Sequence, residues 1–170
     1  MEKQIVRIFF VDDDPIYLKM LENNLKHSRH YSSKIYTFTS GEACLEHMHL
    51  KPDVVVLDYY LNGINSKAID GIQTLQELKK INKDTQVVML SGQDKIDIAV
   101  NSIKEGVFDY VPKSESAFVR TQNAINNIVH ANKLKAEAKD QRVWLRLAAS
   151  VFLVAIVVFL TLSFIYPNEG

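Results

Sequence analysis

Four short stretches of this 170-residue chain carry residue types that support chemistry: Asp12-Asp13-Asp14, Asp58, Ser91-Gly92, and Tyr110 with Lys113 three positions later. Each follows an apolar run. If those runs end at one edge of a sheet, the acids, the hydroxyl and the ammonium converge on one crevice. Crowded carboxylates repel one another and move toward protonation unless a cation neutralises them. Hard oxygen ligands with room for water suit Mg2+, so a magnesium site is implied. Taken singly, an acid after an apolar run is more often a loop residue or a helix cap. Asp14, directly before Pro15, is assigned that capping role.

The elements that must position these residues alternate regularly. Ile5–Val11 reads as a buried strand and Pro15–His27 as a helix, with proline at its first position and Ile16, Met20 and Leu25 facing inward. Lys34–Phe38 is a second strand, and Gly41–His49 a short helix capped by Ser40. Val54–Asp58 is apolar until its last residue, the pattern of a strand covered on both faces. Gly71–Ile81 places Ile72, Leu75, Leu78 and Ile81 on one stripe. Gln86–Ser91, Asp94–Lys104, Phe108–Pro112 and a helix from Ser116 complete five βα units. Such alternation predicts an α/β fold with a doubly wound parallel sheet and helices on both faces, whose chemistry collects at the strands' carboxyl ends.

Composition removes several functions. Twenty basic residues balance twenty acidic ones, so there is no global basic field to draw a nucleic-acid backbone, and no nucleic-acid partner is expected. The balance hides a gradient: residues 1–130 hold 15 Lys and Arg against 17 Asp and Glu, whereas 131–146 are basic. Cys44 is the only cysteine, which excludes an intrachain disulfide and suits a buried thiol. The apolar stretch before the first acids is too short for a signal peptide, so the chain is expected to start in the cytosol.

In order and spacing, VDDDP, LDYY, LSG and DYVPK resemble the marks of response-regulator receiver domains of two-component systems, over residues 4 to about 130. The resemblance implies a flavodoxin-like five-stranded sheet of order 2-1-3-4-5. It implies that Asp58 takes a phosphoryl group from a sensor histidine kinase or phosphotransfer protein, as acceptor and not as a turnover enzyme. Asp13, Asp58 and the carbonyl of Tyr60 would hold Mg2+, with Asp12 acting through a water. Lys113 would offset charge on the transferring oxygens and Ser91 would donate its hydroxyl to one of them. Tyr110 would swing inward, switching the domain so as to control an unidentified downstream protein or assembly into a homodimer.

Three departures qualify the resemblance. After Asp58 the sequence runs YYLNGINSKAI before Asp70-Gly71, about five residues longer than is usual. Lys113 is followed by Ser114 where the family has a proline in a cis peptide, so the lysine either stores strain or arrives on a trans backbone. Tyr60 is bulky and is expected to shield an acyl phosphate. Two rivals remain. A metal-dependent phosphatase using Asp58 would carry a second Asp at position 60, where Tyr stands; a degenerate receiver would serve as a membrane docking module without phosphorylation.

Residues 147–166 form a 20-residue run without charge, glycine or proline, which at about 1.5 Å per residue matches a hydrocarbon core of about 30 Å. With Trp144 and Tyr166 as interfacial anchors and the basic flank at 131–146, the sequence predicts a single-pass anchor in membrane lipid, the bacterial inner membrane, with the receiver cytoplasmic. The expected organisation is a receiver at 1–130, a basic juxtamembrane helical linker at 131–146, a membrane span at 147–166 and a short tail at 167–170.

Overall fold

A computed structural model describes residues 5–25, 31–61, 68–92 and 102–165, with side chains as far as Ile156. Five strands alternate with helices: β1 Ile5–Val11, α1 Pro15–Leu25, β2 Ser32–Phe38, α2 Gly41–Glu46, β3 Val54–Asp58, α3 Gly71–Ile81, β4 Gln86–Ser91, β5 Asp109–Pro112 and α4 Ala117–Ile165. A 3-10 turn at Met48–Leu50 follows α2. The strands form one parallel sheet of order β2-β1-β3-β4-β5, the flavodoxin-like arrangement. The expected helix over 94–104 lies outside the described residues except at 102–104, which are helical.

Period-two alternation divides each strand between two cores. Val6, Ile8, Phe10, Val54, Val56, Val88, Leu90 and Val111 pack with Leu18, Leu21 and Leu25 of α1 and with Ala124, Ile125 and Ile128 of α4. Phe9, Val11, Val55, Leu57, Val87, Met89 and Tyr110 pack with Cys44, Met48, Leu75 and Leu78 on the other face. Every residue of β3 is buried, so a site built on its last residue inherits a rigid support. Burial also pushes the Cys44 thiol up to about 12, as a structural cysteine requires.

Capping fixes the helix starts near the strand ends. Asp14 Oδ1 accepts from the amides of Ile16 and Tyr17 at 2.8 and 3.2 Å, and Ser40 Oγ from Ala43 at 3.2 Å. Asp70 and Gln73 form a reciprocal capping box on α3. The stripe expected on α1 is out of phase: Ile16 is 72% and Met20 46% exposed, whereas Leu18, Leu21 and Leu25 are buried. Apolar residues lie all around this helix, and the i, i+3, i+7 set fits the sheet best. Ile81 is likewise exposed, at the end of α3.

The chain divides into two compact units, Met1–Val129 and His130–Gly170. In the second unit the described side chains of α4 are exposed or half-exposed. Among the described residues no helix is long and apolar enough to cross a membrane. This overturns the expected single-pass anchor at 147–166 and the membrane placement with a cytoplasmic receiver. The preceding turns carry Lys139, Asp140, Arg142 and Arg146, which no span can absorb cheaply. The side chains of 157–166 lie outside the described residues.

At Gly71 the start of α3 comes close against the end of β3. The Gly71 amide donates to Tyr59 O at 3.0 Å, and a Cβ there would collide with Asp58 O and lie 2.8 Å from Tyr59 Cα. At Gly92 a Cβ would meet nothing within 4 Å. Gly71→Ala should therefore cost about 2 kcal/mol or more through overpacking against backbone, and Gly92→Ala should stay within about 0.5 kcal/mol of the parent. Urea unfolding of both variants checks this; equal stabilities would contradict the close approach.

Candidate functional site

Because all five strands are parallel, the carboxyl ends of β1, β3, β4 and β5 lie along one edge. Asp12 follows β1 and donates its amide to Phe38 O at 3.1 Å; Tyr59, next to Asp58, donates to Leu90 O at 2.8 Å. Lys113 follows β5 and donates its amide to Ser91 O at 2.7 Å. These backbone bonds tie the end of each strand to its neighbour, so the side chains beyond them have defined origins. No cis peptide occurs among the described residues, and Lys113–Ser114 is trans. The trans backbone delivers the lysine.

Lys113 reaches into the acid cluster. Its Nζ stands 2.6 Å from Asp12 Oδ2 and 3.1 Å from Asp58 Oδ2. Asp12 and Asp58 are buried, and carboxylate oxygens of Asp12, Asp13 and Asp58 lie within 4.8 Å of one another. Asp12 Oδ1 accepts from the Asp14 amide at 3.0 Å, which orients this carboxylate. Asp58 Oδ1 is buried and has no hydrogen-bond partner among the described residues. An unpaired carboxylate oxygen beside two more acids is a donor set that fits a hard divalent cation.

Electrostatics follow from burial. Removal from water is the largest influence on Asp58, and with the negative neighbours Asp12 and Asp13 it outweighs Lys113, pushing the carboxyl up to about 6. Burial raises Asp12 as well, against the lowering effect of Lys113. Burial alone would lower the lysine, yet the charges of Asp58 and Asp12 prevail and its pKa is raised, so it remains an ammonium.

Ser91 is fully buried at the end of β4, and Tyr110 is 8% exposed, inside the second core. Tyr60 is 39% exposed, its ring edge-on to Tyr59 at 4.7 Å. The structure thus brings Asp12, Asp13, Asp58 and Lys113 together and sets Ser91 beside Lys113 through the backbone. The long stretch after Asp58 falls largely at 62–67, outside the described residues. Sequence reasoning missed Tyr17, whose ring faces Lys113 Nζ with the centroid at 4.6 Å. The available signal was an aromatic residue three positions after a capping acid, in the first turn leaving the acidic strand end.

A family model for the response regulator receiver domain matches residues 8–125. The chain belongs to this family. Receiver domains are phosphoacceptor regulators that bind Mg2+ at an acidic pocket, and response regulators interact with histidine kinases. The receiver is 29% identical over 136 residues to the nitrogen assimilation regulatory protein NtrX of Azorhizobium caulinodans, covering 78% of this chain and 28% of that protein. It also resembles the crystal structure of NtrX from Brucella abortus, with a TM-score of 0.69, 28% identity and coverage of 82% and 30%. A receiver domain protein from Clostridium thermocellum aligns with a TM-score of 0.65 and 26% identity, covering 76% of this chain and 98% of that one. The chain thus spans less than a third of either NtrX.

A carboxyl whose folded pKa exceeds its unfolded value binds more protons when folded, so its contribution to stability declines as pH rises between the two values. For Asp58 that window runs from 3.8 to about 6. Without metal, Asp58→Asn should be more stable than the parent at pH 7 by up to about 3 kcal/mol, at about 1.4 kcal/mol per unit, and nearly equal at pH 3.5. Urea unfolding at the two pH values checks this; an Asn variant less stable at pH 7 would contradict it.

Proposed function

We propose that this receiver accepts a phosphoryl group on Asp58 from a phosphohistidine of a sensor histidine kinase or phosphotransfer protein and so switches its affinity for a downstream protein or a second copy. The observation that carries this reading is the lysine-bridged acid cluster at the strand ends, with Asp58 Oδ1 buried and lacking a hydrogen bond. A carboxylate oxygen of Asp58 attacks phosphorus, the bond from phosphorus to the imidazole nitrogen breaks, and that nitrogen keeps the electron pair. Water is largely excluded at the buried end of β3, which strengthens each electrostatic contact.

Asp13, Asp58 and the Tyr60 carbonyl would hold Mg2+, with Asp12 acting through a water and by orientation; the bound ion supplies positive charge to the phosphoryl oxygens. Lys113 stabilises the same oxygens once Asp58 no longer engages it, and Ser91 donates its hydroxyl to one of them. Tyr60 covers the entrance from the exposed side. Tyr110, buried at the end of the sheet, would move inward behind Ser91 after transfer, and the switch would be a shift in population between two arrangements. Residues 1–130 carry the receiver and 131–146 the basic segment after it.

Incubation of the full chain with a small phosphodonor and Mg2+ should add one phosphoryl group, detected by mass spectrometry. The label should disappear in Asp58→Asn and in chelator, and fall at least tenfold in Asp13→Asn, as losing charge stabilisation of about 1.4 kcal/mol implies. Undiminished labelling of Asp58→Asn would exclude it as the acceptor. Full labelling in chelator would exclude the metal.

A further inference from the structure

The geometry points to Tyr17 as a positioning residue for phosphoryl transfer, its ring face holding the Lys113 ammonium over the acceptor while the lysine exchanges carboxylate partners for phosphoryl oxygens. This rests on the reading of Asp58 as acceptor. Lys113 Nζ lies 4.6 Å from the Tyr17 ring centroid, within the range of attraction between a cation and an aromatic face. An ammonium has three donors and no acceptor. Asp12 Oδ2 and Asp58 Oδ2 stand at 2.6 and 3.1 Å from it, and the ring supplies a contact that is not a carboxylate.

The ring is held from two sides. The Tyr17 amide donates to Asp14 Oδ1 at 3.2 Å, fixing the first turn of α1. The ring packs on Phe118, in the first turn of α4, with centroids 5.4 Å apart and planes tilted by 31°. The Tyr17 hydroxyl is buried and makes no hydrogen bond among the described residues. The role therefore falls to the aromatic face and not to the hydroxyl.

The chemistry explains the use of a ring. Transfer requires the lysine to loosen its carboxylate contacts, since Asp12 and Asp58 are engaged elsewhere when metal and phosphoryl group arrive. A side chain on such a long stem would then lose its orientation and regain entropy. A neutral ring holds it without taking a strong N–H donor from the incoming oxygens. Its attraction for the cation survives each exchange.

Two measurements on the full chain test the role. Labelling rates at saturating acetyl phosphate and Mg2+ should fall about tenfold in Tyr17→Leu, equivalent to about 1.4 kcal/mol of lost lysine–ring attraction, and recover in Tyr17→Phe. Fluorinated phenylalanines at position 17, similar in shape but poorer in π charge, should lower the rate stepwise. NMR should show the Lys113 Hε protons shifted upfield by the ring current in the parent and in Tyr17→Phe, but not in Tyr17→Leu. Equal labelling rates for the Leu and fluorinated variants and the parent would overturn the proposal, as would a parent with no ring-current shift. If the parent takes no label, the phosphoacceptor reading fails by itself; the positioning of Lys113 by Tyr17 is then decided by NMR alone.

Discussion

The ammonium of Lys113, set between Asp12 and Asp58 at 2.6 and 3.1 Å, is the interaction on which the site depends. Burying two carboxylates side by side would drive one toward neutrality. One lysine offsets part of that cost but cannot neutralise three acids. Burial, together with the negative charge left beside it, raises Asp58 to about 6, and that uncompensated charge is the property that a divalent cation and an electrophilic phosphorus would exploit. A fully neutralised cluster would be more stable and less able to bind either.

The sheet sustains this imbalance. Asp58 ends a strand buried along its whole length, with an apolar core on each face, so the strained charges cannot relax by moving the backbone. Gly71 lets α3 approach that strand end without a side chain between them. Ser91 O receives the Lys113 amide, and this bond aims the lysine into the crevice from a trans peptide where the family has a cis proline bond. On that trans backbone the lysine arrives between Asp12 and Asp58.

The fold was legible because its signals are local and periodic. The continuous apolar run before Asp58, the acids after the strands, and the caps at Asp14 and Ser40 each have one cheap structural solution. That Asp12, Asp13, Asp58 and Lys113 come together was legible for the same reason, since parallel strands fix which ends meet. The phase of α1 was not, because Ile16 and Met20 compete with Leu18 and Leu21 for the inward face and only tertiary packing decides. Nor was the contact of Tyr17 with Lys113, which depends on how α1 leaves β1 and where α4 begins. The membrane anchor shows the opposite limit: hydropathy alone predicted a span, whereas the described helix has no stretch long and apolar enough to cross a membrane.

Calorimetric titration with Mg2+ in buffers of different ionisation heat tests most directly whether this charge imbalance is a metal site, because it counts protons released on binding. At pH 6, near the value to which Asp58 is raised, binding should displace about half a proton per ion, falling toward zero at pH 8. Asp58→Asn should release none at either pH. Binding that releases no protons at pH 6, or no binding at all, would contradict the view that a buried, under-neutralised Asp58 is held ready for a cation.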